Sequence, residues 1–270
     1  LRNVKFVIAA LLLSVSMVML TDKEASAAPT IEGTYDLKLE ELGVPEELIN
    51  DMSFSKKEHI VNSNPKKYLG GEKGILSTSG ESQQDGGIST MGLIPADDME
   101  FRVDVFSNGY TSDGRDMYMV VVGYTWLQEP VWKLQDPFGV KWDDSKFRYQ
   151  DNSSFNKIDY CYGGSLQTCN DWYTETSEIY PYSGDGGLGW NADLKGHATL
   201  ATANSGFGSL ILETKDGVSL PSGGSSQVHA YYAHVIDSFG SIGLDFKGVN
   251  VTFSGSRTVD DRALTKTFYY

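Results

Sequence analysis

"MYMVVVGYTWL" (Met117–Leu127) is apolar at odd and even positions alike. Successive residues of a strand point to opposite faces, so a sheet with one wet face reads as an alternation. This run does not alternate. It predicts a central strand covered by other structure on both faces.

The flanking sequence supports a sheet around it. Phe101, Val103 and Val105 alternate with Arg102 and Asp104, and "SNGYTSDGRD" (Ser107–Asp116) has the composition of a turn. In "VWKLQDPFGVKWDD" (Val131–Asp144), Trp132 and Leu134, then Phe138, Val140 and Trp142, recur at period two. Pro137 and Gly139 mark an edge, bend or bulge there. Val228, Ala230, Tyr232, His234 and Ile236 share one strand face. Ile242, Leu244 and Phe246 alternate, and Val249, Val251 and Phe253 follow with the opposite parity. A straight strand cannot change face, so Lys247-Gly248 requires a tight hairpin or a bulge. "ALTKTFYY" supplies a last strand. About eight to ten short strands with turn signals between them predict an all-β fold, an antiparallel β-sandwich.

Only the N-terminal part reads as helix. In "LKLEELGVPEELINDMSFSKKEHIVN" (Leu37–Asn62), Gly43 stops one helix and Pro45 opens the next. Leu48, Ile49 and Met52 form an apolar stripe, and Ser53 or Ser55 caps a further short helix carrying Ile60 and Val61. Helices this short are not stable alone in water, so they must dock on the β domain, a partner or a processing enzyme. Residues 1–27 have a basic start, an uncharged apolar run and Ala25-Ser26-Ala27, the pattern of a cleaved signal peptide. The expected organisation is a signal peptide at 1–27, a short helical segment at 28–69, a flexible Gly/Ser/Gln-rich linker at 70–92 and a β-sandwich domain at 93–270. No later apolar run is long enough to cross a bilayer as a helix, so no integral membrane segment is expected after cleavage.

The formal net charge of the 270 residues is −14, and removing residues 1–27, net +1, leaves −15. Such an acidic chain is not a nucleic-acid binder and is repelled by anionic membranes. The two cysteines both lie in "YCYGGSLQTCNDWY" (Tyr160–Tyr173). Two cysteines do not make a zinc site, and no CxxC redox motif is present. In an exported chain, Cys161 and Cys169 are expected to form a structural disulfide closing a short loop.

Catalytic patterns are absent: there is no HExxH, no GxSxG and no phosphate-binding glycine loop. His229 and His234 are five apart, an odd spacing that sends them to opposite strand faces. Asp104, Glu129, Asp136, Asp159, Glu178 and Asp193 are acidic candidates for glycoside hydrolysis, but the sequence brings no two of them to a working separation. Calcium is the one cofactor the loops suggest: "SGDGGLGWNAD" (Ser183–Asp193) places Asp185, Asn191 and Asp193 in a glycine-rich turn. The aromatic residues point to a ligand surface. Tyr162, Trp172 and Tyr173 flank the cysteine loop and form the expected binding patch, which a disulfide would preorganise. The competing reading buries Trp172 and leaves the disulfide to pin a loose connection.

The layout of the signal peptide, "LEELGVPEELINDM", "MGLIPADD", "FGVKWDD", "GLGWNADLKG" and the "YYAH…FYY" ending resembles a group of uncharacterised exported proteins of Bacillus-like bacteria. The resemblance implies secretion and an all-β domain and transfers no functional residue. The expectation is a secreted, extracellular, non-catalytic binding protein with a glycan or protein ligand. The alternatives are a β-pore-forming or antimicrobial exoprotein, using the Ser241–Ser256 hairpin, and a polysaccharide-degrading enzyme.

Overall fold

The computed structural model describes residues 30–74, 90–95, 97–130, 132, 134–162, 172–176, 186–194, 201–236, 242–247, 250–255 and 259–270. Contacts divide the chain between Thr34 and Tyr35. Of the first part, residues 30–34 form the capped opening turn of helix α1 (Ile31–Glu41), where the Gly33 N–H donates to Thr30 Oγ1 at 3.1 Å. The second part runs from Tyr35 to Tyr270.

Two sheets face each other. Sheet A has the order β1 (Lys67–Lys73), β3 (Met99–Tyr110), β4 (Asp116–Trp126), β10 (Ala201–Thr214), β7 (Phe155–Tyr162) and β8 (Trp172–Glu175), with β6 (Phe147–Tyr149) also pairing with β10. Sheet B has the order β2 (Thr90–Leu93), β14 (Val259–Tyr269), β11 (Ser225–Val235), β5 (Gln135–Trp142) and β9 (Gly187–Asp193). A separate hairpin pairs β12 (Ile242–Lys247) with β13 (Asn250–Gly255). The pairs are antiparallel except β2–β14. The protein is an all-β sandwich with a short N-terminal helical segment, as the alternation predicts.

The space between the sheets is filled by the period-two faces. Phe101, Val103, Val105, Tyr118, Val120, Val122, Tyr124 and Trp126 of sheet A meet Phe138, Val140, Trp142, Leu188, Trp190 and Tyr232 of sheet B. A Cβ at Gly208 would overlap the Trp190 ring, so glycine lets the indole lie directly on β10.

The other face of sheet A is also apolar, and the helices cover it. Leu39, Val44, Ile49, Met52 and Ile60 pack on Phe106, Met119, Val121 and Phe207. This is why Met117–Leu127 shows no alternation. Of the three docking options, the helices take the chain's own β domain. Gly43, at φ 87°, follows α1; Pro45 precedes α2 (Glu46–Asn50); and the Ser53 Oγ accepts the Lys56 N–H at the start of α3 (Phe54–Asn62). Burying five apolar side chains at about 2 kcal/mol each supplies roughly 10 kcal/mol as an upper estimate, which helices of this length lack alone.

Polar groups complete the seat. Fully buried Asp104 accepts from Lys56 Nζ at 3.2 Å, Arg102 Nε at 2.7 Å and Tyr68 OH at 3.0 Å. Burial alone would raise the Asp104 carboxyl; the Lys56 and Arg102 charges outweigh it and hold the group below the usual carboxylate range. Asp159 accepts from Ser53 and Ser55 of the helical segment and from Thr174 of β8.

The expected boundaries need correction. The helical segment does not run to residue 69, and residues 70–73 are not linker. They belong to β1, which pairs with β3 from Lys67 to Lys73 through a register shift between Tyr68 and Gly70. Residues 90–92 are likewise strand, in β2. Backbone pairing overrides the glycine-rich composition at both ends; residues 75–89 lie outside the described residues.

His59 of α3 stacks on Phe155 at 4.0 Å and bonds Ser209 Oγ through Nε2 at 2.6 Å. Burial, with Lys157 nearby, lowers its pKa from 6.5 to about 4. The unfolded chain therefore takes up this proton from pH 6.5 downward, and the folded chain only near pH 4. The His59 contribution is complete above pH 6.5 and is lost as pH falls toward 4, by at most about 3 kcal/mol. Urea unfolding at stepped pH should show this slope in the native sequence and its flattening in His59→Gln; equal slopes would refute it.

Candidate functional site

The strand registers gather several expected site elements at one end of the sandwich. Met99 faces Trp126, Ser205 faces Thr125, Gln135 faces Asp193, and Val235 faces Val259. The end of β4, the start of β5 and the ends of β7, β9 and β11 therefore lie together. The Tyr160 OH donates to the Asp193 carbonyl at 2.6 Å, which joins the root of the cysteine loop to the end of β9.

A buried polar network lies beneath this end. Pro137 lacks an N–H, and the β5–β11 ladder runs only from Phe138 to Trp142. Just beyond it, the Asp136 side chain takes over: Oδ1 accepts the Val235 N–H at 2.9 Å. Asp136 Oδ2 accepts from Tyr232 OH at 2.7 Å and lies 2.8 Å from His234 Nδ1. The Trp126 indole N–H donates to Tyr232 OH at 3.0 Å, so the network bridges the two sheets. Burial pushes the Asp136 carboxyl above its usual range, against the pull of the hydrogen bonds from His234, Tyr232 and Val235. At the same end Arg262 donates to the Met99 and Ile94 carbonyls, tying β14 to the β2–β3 connection.

A carboxylate that orients an imidazole is a recurring catalytic part, but a third, reacting group is also needed. Among the described residues, Tyr232 hydrogen-bonds the pair and Trp126 both donates to Tyr232 and packs edge-on against the His234 ring at 4.8 Å. The geometry is that of a structural tie. The other acidic candidates are scattered: Asp104 and Asp159 lie under the helical segment, Glu129 is exposed in the β4–β5 connection and Asp193 stands at an exposed strand end. Glu178 lies outside the described residues. The cavity between the helical segment and sheet A, lined by Ser53, Lys56, Glu100, Arg102, Thr125 and Ser205 among others, measures about 30 Å³, room for one water.

The expected calcium turn is corrected in part. Asn191 and Asp193 are in strand β9 and not in a turn, because Leu188, Trp190 and Ala192 alternate into the core and fix the intervening residues on the outer face. Asn191 is buried and Asp193 exposed; Asp185 lies outside the described residues. Among the described residues, no three His, Cys, Asp or Glu side chains gather as metal ligands.

For the expected ligand patch, the backbone is described. Tyr162 ends β7; Trp172 opens β8 directly across from Cys161, and Tyr173 stands across from Tyr160. Cys161 is fully buried. Cys169 and the rest of the loop lie outside the described residues. Two apolar side chains not expected at a surface are exposed at the same end: Leu127 (48%) and Trp132 (46%), in the β4–β5 connection. Period two had paired Trp132 with Leu134 as a strand face; the strand begins only at Gln135.

No protein-family description matches the chain, and no curated protein does. Among solved structures, it is similar to "BspA_C_mut" at a TM-score of 0.32 and 7% identity, over 64% of this chain and 55% of that one. The chain thus spans about half the length of that structure. It is similar to the membrane-inserted form of the Clostridium perfringens NetB toxin at 0.34 and 8%, over 75% and 96%. It is also similar to the collagen-binding domain of a Staphylococcus aureus adhesin at 0.28 and 9%, over 56% and 88%. All three TM-scores are low. Among the described residues, no helix is long and apolar enough to cross a membrane.

Asp136→Ala should cost about 3–5 kcal/mol in urea unfolding, because it leaves Tyr232, His234 and the Val235 N–H without their shared acceptor. A loss below about 0.5 kcal/mol would show that the network is not a tie. Intact mass before and after reduction tests the cysteine pair: the expected result is a bond between Cys161 and Cys169, and two freely alkylated thiols would overturn it.

Proposed function

We propose that this chain is an exported, non-catalytic binding protein that recognises a glycan or a protein partner outside the cell. The recognition surface is the end of the sandwich that carries the β4–β5 connection, the paired ends of β7 and β8, and the end of β9. The observation that supports this reading most is the exposure of Trp132 beside Leu127 at that end, while Trp126, Trp142 and Trp190 are buried in the core. An exposed indole on a rigid scaffold suits stacking on a sugar ring or anchoring in a partner's pocket. The Asp136 network holds the strand ends beneath it, so the surface loses little freedom on binding. Export rests on the pattern of residues 1–27, and the strongly acidic composition suits a protein that stays soluble.

A glycan array probed with residues 28–270 and with Trp132→Ala tests the reading. The expected result is selective binding that the exposed-site substitution weakens at least tenfold without loss of stability. Hydrolysis of an arrayed glycan would favour the enzymatic alternative, and equal binding by Trp132→Ala would displace the surface.

A further inference from the structure

Trp132 and Leu127 stand exposed in the β4–β5 connection, at 46% and 48%. The backbone brings acidic residues to both sides of them. On one side the Leu127 and Gln128 N–H groups donate to the Asp98 carbonyl at 2.8 and 3.2 Å, and the Gln128 side chain donates to the Asp97 carbonyl at 3.4 Å. On the other side the Leu194 N–H donates to the Leu134 carbonyl at 3.1 Å, and Gln135 faces Asp193. Asp97, Glu129 and Asp193 are exposed, and Asp98 is half-buried. Further along the same end Asp260 faces His234, and the Asp261 carbonyl accepts the Ile94 N–H at 3.3 Å.

The described basic residues nearby are already committed. Arg262 is buried, donates to the Met99 and Ile94 carbonyls and sets its charge against Asp98. Lys73 pairs with Glu100 at 2.8 Å and with Asp51 at 3.4 Å. Lys133 and Lys195 lie outside the described residues; with both counted beside Arg262, six carboxylates still outnumber three cations. Burial, with Asp260 alongside, raises the Asp261 carboxyl above its usual range. A cation brought to this end relieves that repulsion. The exposed apolar pair is therefore flanked by negative charge in excess.

We propose that this end of the sandwich binds a basic segment of a protein partner, whose arginine or lysine side chains lie over Trp132 and Leu127 and turn their charged heads to the flanking carboxylates. The proposal rests on the reading of this end as the recognition surface and narrows its ligand. A neutral glycan stacks on the indole but gains nothing from the acidic rim. An arginine uses both. Its planar guanidinium stacks on the indole face, its stem covers apolar surface such as Leu127, and its N–H fork matches a carboxylate. A lysine uses the same stem and a point charge. The acidic rim also steers a basic partner toward the surface before contact. The whole chain, at net charge −14, attracts such a partner; the exposed apolar pair decides where it lands.

The test is the fluorescence anisotropy of a labelled decapeptide of alternating arginine and glycine, titrated with the purified protein. Trp132→Ala should weaken binding at least tenfold and Trp132→Phe should restore most of it. Asp97→Asn combined with Glu129→Gln should also weaken it at least tenfold, and so should molar salt. The same peptide with glutamate in place of arginine should not bind. Binding that salt abolishes but Trp132→Ala leaves unchanged is general adsorption to an acidic chain and overturns the proposal. If the glycan array shows binding through Trp132 while the arginine peptide does not bind, the proposal fails and the recognition surface stands. If neither ligand binds, both fail. The salt dependence and the glutamate control need no substitution, so a variant that does not fold leaves the proposal testable.

Discussion

Sheet A is apolar on both faces, and the rest of the molecule follows from covering them. Val120, Val122 and Tyr124 face sheet B, while Met119 and Val121 on the same strand face the helices. Neither cover can be removed without exposing a core surface to water. The helical segment is therefore part of the β domain's stability, and the chain from Tyr35 onward forms one packing unit. An ordinary sandwich leaves its outer faces wet; here the outer face of β4 is an interior.

Covering a sheet with helices brings their polar side chains into a dry place. Lys56 comes to rest 8% exposed and Asp104 fully buried, an arrangement stable only if each finds a partner. Two glycines make the approach feasible. A Cβ at Gly123 would stand 3.2 Å from Lys56 Nζ as that side chain crosses β4 toward Asp104. A Cβ at Gly71 would overlap the Tyr68 hydroxyl and the Arg102 guanidinium. Replacing the cluster with apolar residues could be neutral for stability, whereas removing one member leaves buried charge behind. The cluster thus fixes how the helices seat more than how tightly they hold.

Periodicity made the faces legible and left the neighbours hidden. Met117–Leu127 announced a doubly covered strand, Gly43, Pro45 and Ser53 punctuated the helices, and the parity change after Phe246 announced the β12–β13 turn. Period two places His234 on the face of Ala230 and Tyr232, as the structure does, but its partner Asp136 lies far away in sequence, and period two does not say which strand lies opposite. A local hint existed: an acid directly before Pro137 can replace the ladder bond that proline forfeits. "KYLGGEK" gave no strand signal, because β1 is an edge strand whose residues are mostly exposed or half-exposed and whose pairing comes from the backbone. "GLGWNAD" read as a turn because glycine weakens strands in general; beneath the hairpin, small residues are what the packing admits.

The two outer faces of the sandwich are therefore held by different physics. Sheet A is sealed by apolar contacts and a charge cluster, both of which resist opening. The outer face of β5 and β9 carries Gly139, Gly187 and Gly189 and is buried from Pro137 to Lys141 and from Gly187 to Asn191. The excursion that covers it starts and ends at a rung pinned from both sides: the Val235 N–H is held by Asp136, and Arg262, three residues after Val259, is held by the Met99 and Ile94 carbonyls. The hairpin between these roots adds no rung to either large sheet and pairs only with itself. The same polar tie also joins the two sheets at this end, because Trp126 of β4 donates to Tyr232, which donates to Asp136.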